Sequence, residues 1–329
     1  MASFRRAPGG PRLGARAPVR SPPPGPTGPP GFAVDPLAPR WLGPGGAGGR
    51  YKVAAADFTV SELPHGCPKG HGVSWYRVRR SGWDTPEVAR TLARLADVET
   101  EDVGWAGLKD RDAVAEQRFT IVGGRRLREL PEGLELLDSG TTRAPLQPGG
   151  LDGNRFVIVV RGGNPEIAAS RLLRLGRFPN RFGPQRVGNG LPELGRDVLL
   201  GQAGVLDPQR RRFALIAWQA AAFNRVLEAR GPKPLPGEIF QDGSATGPIF
   251  GARMRWPRGA SLALEEGVLG ESGITHDHLD RVATIIPGGR RPLTVVARDA
   301  RITPHPEGFT LEVTLGPGCY ATSLLQELL

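Results

Sequence analysis

The residues with the most evident chemical potential stand in Gly107-Leu-Lys-Asp-Arg-Asp-Ala-Val-Ala-Glu-Gln117, where Asp110 lies between Lys109 and Arg111 at a turn between apolar runs. A carboxylate moved alone out of water tends to take up a proton, and adjacent positive charge opposes that shift. A carboxylate kept ionised inside a closed site can serve as a nucleophile or a base. Read alone, the same run also describes a solvated turn, whose exposed ion pairs contribute little. Asp112, two residues on, could face the same way in an extended segment.

Four further segments set this turn in context. Upstream is Lys52-Val-Ala-Ala-Ala-Asp57-Phe58-Thr-Val60-Ser-Glu62. Downstream come Gly153-Asn154-Arg155-Phe156-Val-Ile-Val-Val160-Arg161, then Phe178-Pro-Asn180-Arg181-Phe182-Gly183-Pro-Gln185-Arg186, and last Gly316-Pro-Gly-Cys319-Tyr320-Ala-Thr-Ser-Leu-Leu-Gln326-Glu-Leu328. In order and spacing they resemble the TruD family of tRNA pseudouridine synthases, whose patterns read approximately K-x4-DFxVxE, GxKDRxAVxxQ, GNxFxxxxR and PNxFGxQR, with a closing motif near the C-terminus. The resemblance covers the chain from about residue 48 to its end.

The resemblance implies an α+β fold, a pseudouridine synthase-like catalytic domain with a mostly antiparallel sheet, interrupted by an inserted helix-rich TRUD domain. Residues 46–178 would form the first part of the catalytic domain, 179–299 the insertion and 300–329 the last part. The activity implied is isomerisation of uridine to pseudouridine in tRNA, at position 13, with Asp110 as nucleophile or base. Addition to C1′, attack on C6 and removal of a sugar proton to give a glycal all remain open routes. Lys52 is a candidate to hold the Asp110 carboxylate or a phosphate, and Glu62 to fix the polar network. Phe156 is the expected stacking platform for the base, since aromatic stacking tolerates rotation about the ring normal. Asn154 would position Asp110 or the base edge. Arg181 and Arg186 would line a cleft between the domains and contact the RNA backbone around a flipped uridine. Cleavage of the glycosidic bond develops oxocarbenium character that one carboxylate can stabilise, and the rearrangement changes no redox state, so no metal and no organic cofactor is expected. The chain departs from the closing motif at two places, with Gln326 where Arg is common and Cys319 where Ser is. Two other readings compete: a noncatalytic RNA-binding or RNA-chaperone protein, and a small-molecule nucleoside glycosidase.

Composition narrows the classes. The formal charge is +10, and residues 1–50, with seven Arg and one Asp, carry much of it. A positive field favours a polyanion, and Arg binds phosphate bidentately and stacks on bases. Cys67 and Cys319 lack metal-type spacing, and although Cys67 lies between His65 and His71, the Pro and Gly residues around it indicate a hairpin tip. His276 and His278 flank Asp277 at an expected helix start. No run of 18 apolar residues suggests a membrane span. The expected partner is tRNA, with no membrane and no protein partner, and the expected state is a cytoplasmic monomer.

The elements that must position these residues are read from pattern. Residues 1–45, with Ser21-Pro-Pro-Pro-Gly-Pro-Thr-Gly-Pro-Pro30, offer little for a core and are expected to be disordered. Alternation around Phe58 and Val60, and over 73–79, gives strands, and further strands are expected at 103–107, 114–122, 133–140 and 155–161. A helix starts with Thr85 as N-cap and Pro86 in the first turn. A long helix capped by Asp207 carries an apolar stripe of Phe213, Ile216, Ala217, Ala220, Phe223 and Leu227, read as core. A short helix is expected near 276–284, with strands at about 293–298 and 308–315 and a closing helix.

Overall fold

Alternating burial is what makes the strands into a sheet with one covered face. The structure, a computed structural model, describes residues 40–65, 69–188 and 190–329, so Cys67 and the first 39 residues lie outside it. In chain order the first part comprises β1 (Phe58–Pro64), β2 (Lys69–Arg80), α1 (Thr85–Ala96), β3 (Val103–Trp105), β4 (Val114–Val122), β5 (Leu134–Thr142), β6 (Leu151–Arg161) and α2 (Pro165–Leu175). The middle holds β7 (Arg177–Pro179), α3 (Pro184–Val187), α4 (Leu191–Leu200), α5 (Pro208–Arg230), β8 (Ile239–Gln241), β9 (Ser244–Ile249), α6 (Gly259–Glu271), α7 (His276–Asp280), β10 (Gly289–Pro292) and β11 (Thr294–Val296). The chain closes with β12 (Arg298–His305), β13 (Gly308–Leu315) and α8 (Ala321–Leu328).

The main sheet has the order β12-β13-β6-β1-β4-β2-β5, with β3 on the free stretch of β4. Every pairing is antiparallel except β1 with β4. The register Phe309↔Val160, Val313↔Phe156↔Val60↔Ala115 and Phe119↔Tyr76 puts these side chains on one face, because residues opposite one another in a ladder point the same way. Helices α2 and α8 cover the β13, β6 and β1 half of that face through Ala168, Leu324, Leu325 and Leu328. Helix α1 covers the β2 and β4 half through Val88, Ala89 and Leu92 against Tyr76, Val78 and Phe119. Two cores therefore share one face, and the parallel pair β1–β4 runs along the seam between them. The opposite face carries ion-paired rows, Arg77 and Arg79 on Glu116 and Arg155 and Arg301 on Glu312, and stays in water.

The cap of α1 lies one residue before the expected Thr85. Asp84 is the N-cap, accepting the Glu87 N–H at 2.7 Å while the Glu87 carboxylate accepts the Asp84 N–H at 2.9 Å. This reciprocal pair satisfies the helix end and leaves the Thr85 hydroxyl for other work. At the expected start of α7, His278 Nδ1 accepts the Thr275 N–H at 3.0 Å.

Between β7 and β11, which pair antiparallel through Phe178↔Val295, the chain closes on a core of its own. Leu215, Trp218 and Val226 of α5 meet Phe250, Met254, Leu269 and Ile286, beside the small sheet β10-β9-β8. Arg290 binds the Glu265 carboxylate with both amino groups at 2.8 Å in a buried fork.

The expectation of a structureless tail through residue 45 is corrected from Arg40 onward. The N–H groups of Trp41 and Leu42 donate to Glu327 at 2.8 and 3.2 Å, and Arg171 donates to the carbonyls of Gly43, Pro44 and Gly45. From Trp41 to Gly45 these bonds are made by the backbone, which a reading of side-chain composition does not register, while the Arg40 guanidinium donates to the Gln326 carbonyl and Trp41 packs against the cluster of Phe223, Leu227 and Leu293.

Candidate active site

The loop carrying Asp110 is fixed at its stem before any ligand arrives. Alternation along β2 puts Arg80 on the covered face with Tyr76 and Val78, where it is 1% exposed. Its guanidinium donates to the carbonyls of Trp83, Lys109 (2.8 Å) and Asp110 (3.3 Å) and to the Thr85 hydroxyl. Burial lowers the Arg80 pKa to about 10, so the group is still a cation at neutral pH. The Thr85 hydroxyl in turn accepts the Lys109 N–H at 3.0 Å and donates to Gln117, whose amide donates to the Gly107 carbonyl at 2.6 Å. Both sides of the turn are thus tied to the sheet and to the start of α1.

Neither flanking cation pairs with Asp110, contrary to the sequence expectation. Lys109 turns along the seam to Glu62 at 3.1 Å, both ends buried, and Arg111 reaches Glu87 on the surface. Adjacent side chains in an extended turn point apart, so a neighbour in sequence is badly placed to be a counter-ion. The partner is Lys52, whose Nζ donates to Asp110 Oδ2 at 2.7 Å. Asp110 stays partly open, at 29% side-chain exposure, while Lys52 is at 10%. Asp112 lies exposed.

Lys52 sits in a turn with φ of 56°, and the turn is held by Asp57. That carboxylate accepts the Ala54 N–H at 2.9 Å and two bonds from the Arg161 guanidinium, at 2.9 and 2.8 Å. These bonds hold the Asp57 carboxyl below its usual pKa, Arg161 being the largest cause. The Lys52 ammonium lies 4.5 Å from the Phe58 ring centroid, a cation–π contact. Tyr51 lies beside Phe58, and burial, then the Asp110 charge, push its phenol up.

Along the seam from Asp110 the floor becomes polar. Glu62 stands opposite Asn154, which stands opposite Leu315. Gly153 makes that approach possible, because a Cβ there would sit 2.3 Å from the Leu315 carbonyl oxygen and its φ is +149°. Asn154 is buried, and among the described residues its Oδ1 has no hydrogen-bond partner. Burial pushes the Lys109 ammonium below its usual pKa, and Glu62 opposes the shift. Phe156 does not offer the open ring face expected of it. It is 7% exposed within the core and meets Phe58 edge-on at 5.9 Å, because Val60 and Val313 flank it in the ladder.

Of the two arginines expected in the cleft, Arg186 is half-buried beside an open depression, whereas Arg181 is a buried tie, bonded to Glu327 at 3.0 Å. The carbonyl of Arg181 also accepts the Ser323 hydroxyl. Gly183 permits this join, since a Cβ there would meet the Tyr320 ring at 3.0 Å. Arg291 completes it, stacking on Phe182 at 4.2 Å and donating to Asn180 Oδ1 and the Gly318 carbonyl. Sequence reasoning passed over Arg80, Thr85, Gln117, Arg161 and Arg291 as site supports. Arg80 carried a signal, since a period of two from Tyr76 and Val78 puts it inside.

A mostly antiparallel sheet covered on one face by helices is a fold consistent with the pseudouridine synthases. The comparisons with known proteins agree. Residues 41–204 and 240–328 match the family described as tRNA pseudouridine synthase D (TruD). The protein named tRNA pseudouridine synthase D from Anaeromyxobacter sp. (strain Fw109-5) is 33% identical over 86% of this chain and 93% of its own length. That of Thermus thermophilus is 33% identical over 86% and 89%. A solved structure of the putative tRNA pseudouridine synthase D from Methanosarcina mazei matches 89% of this chain and 96% of its own, with a TM-score of 0.64 at 18% identity, a likeness that carries the fold. The chain belongs to the TruD family of tRNA pseudouridine synthases.

Proposed function

We propose that this protein isomerises uridine to pseudouridine at position 13 of tRNA, with Asp110 as the group that reacts with the nucleoside. The observation that carries the reading is the Lys52–Asp110 pair at 2.7 Å, set on a loop locked by Arg80, Thr85 and Gln117. Lys52 occupies Oδ2 and orients the carboxylate, leaving Oδ1 for the substrate. The N1–C1′ bond breaks, the uracil turns, a C5–C1′ bond forms, the C5 proton is lost and N1 ends protonated, so substrate and product are isomers. The buried Asn154 oxygen is an acceptor that a uracil N–H can satisfy, since an unpaired buried acceptor is unfavourable. Phe156 supports the wall through Phe58, and the Lys109–Glu62 pair forms the polar floor. The helix-rich block between β7 and β11 is the inserted domain that holds tRNA, with Arg186 among its phosphate contacts. The protein acts as a cytoplasmic monomer.

Asp110→Asn tests this directly, because the amide is isosteric but cannot act as an anionic nucleophile or base. Pseudouridine formation on tRNA should fall to background with affinity nearly unchanged, while Asp112→Asn keeps most activity. Near wild-type conversion by Asp110→Asn would sink the assignment.

A further inference from the structure

Where α3, α4 and α5 meet, the helix-rich block holds an open depression of about 490 Å³. Leu191, Phe213 and Ala217 form an apolar wall, and Arg186, Asp207 and Arg210 a polar one. The sequence pattern assigns Phe213 to the core stripe of α5, yet its ring is 48% exposed while Ala217, Ala220 and Phe223 of the same stripe are buried. An aromatic ring left half in water on a pocket wall is a contact surface without its contact.

The start of α5 holds a second anomaly. Arg210, Arg211 and Arg212 follow one another in its first turns, all exposed, and no acidic residue stands in the first turn. Positive side chains near the positive end of a helix are unfavourable, and an anionic partner reverses that. Among the described residues, none of the three, nor Arg186, forms an ion pair with a carboxylate. Asp207 decides what lies inside and what outside. Its Oδ1 accepts the Arg210 N–H at 2.9 Å as the helix cap, and a carboxylate in the wall disfavours a phosphate there, whereas its remaining oxygen is an acceptor suited to a base N–H.

Resting on the reading that the protein acts on tRNA, we propose that this depression captures one unstacked nucleobase of the tRNA, stacked on Phe213, with neighbouring phosphates on Arg186 and the Arg210–Arg212 run. An aromatic platform bordered by cations is the pattern that grips single-stranded nucleic acid. The pocket is a second anchor, apart from the uridine held at Asp110. On the side toward the main sheet, the Phe182 ring meets Tyr320 at the head of α8.

The test is the dissociation constant of the full-length protein for an unmodified tRNA transcript bearing uridine at position 13, measured across a range of salt, with conversion scored in parallel. Phe213→Ala should weaken binding about ten-fold without altering the slope of log Kd against log salt. Phe213→Trp should restore affinity, and Phe213→Leu, apolar but not aromatic, should not. Arg210→Ala should reduce the slope by about one. Binding as tight as wild type by Phe213→Ala, or full restoration by Phe213→Leu, would overturn the base pocket, the latter indicating a general apolar or protein contact. Weakened binding by the Phe213 variants, together with a wild-type protein that forms no pseudouridine, would uphold the pocket and overturn the catalytic reading instead.

Discussion

Asp110 draws its counter-ion from 58 positions away, and that separation decides how its neighbourhood responds to mutation. Removing the Lys52 ammonium, as in Lys52→Met, takes away the hydrogen bond that orients the carboxylate, and turnover should fall about 10²-fold with little change in melting temperature. An unchanged turnover number for Lys52→Met would show that Lys52 does not act on the reacting carboxylate. Phe156→Ala removes a core ring, so it should cost about 3–5 kcal/mol of stability, read as a lower denaturant midpoint, and tRNA turnover should follow the folded fraction. A rate defect without a stability defect would restore Phe156 as a contact of the base. At this scale the residue types were legible and their pairings were not. Lys52 does meet Asp110, and Glu62 stands opposite Asn154, but the motif spacing carries no information on which cation turns toward which carboxylate, since that is set by the φ of Lys52 and the register of β1 on β6.

At the scale of elements, two of the sequence motifs prove to be partners: the Asp57 end of the first clamps to Arg161 at the end of the third and so shapes the turn that delivers Lys52. A carboxyl whose folded pKa is depressed contributes stability above its unfolded pKa, and the contribution is lost as pH falls through the folded value. Asp57→Asn should therefore be less stable than wild type at pH 7, with the gap closing as the pH drops below about 4. A gap that persists undiminished into acid would show that the Arg161 bonds are not its source. The elements themselves were legible where alternation was strong. β4 spans the expected 114–122, and α5 runs from the Asp207 cap to Gly231. Short strands β8 and β9, helix α6, and the return through the hairpin β12–β13 rather than one strand were not anticipated, because Gly and Pro interrupt the patterns and tertiary pairing alone fixes them. The strap from Arg40 was invisible for a different reason: its hydrogen bonds from Trp41 to Gly45 are made by peptide groups, and their receptors, Arg171 and Glu327, lie far along the chain.

Across the whole molecule, the helix-rich block is tied to the catalytic sheet by the β7–β11 pair, by Arg181 on Glu327 and by Arg291 beneath the Gly316–Tyr320 loop. Joining residue 178 to residue 300 through a short Gly/Ser linker removes the block together with both arginines and β11. The shortened protein should melt at lower temperature and lose tRNA affinity. Efficient tRNA modification by it would rule out the block as the RNA clamp. The order in which the sheet is written along the chain has a further consequence, in time rather than space. Strand β6 receives its outer neighbour only when β13 is made, some 150 residues later, which at about 5–20 residues per second is on the order of 10–30 s of synthesis. Through that interval one edge of the central sheet stands open while the helix-rich block, whose core is local, can fold first. A finished helix-rich block thus emerges before the main sheet is complete, and the open edge of β6 is where mispairing with another nascent chain would begin.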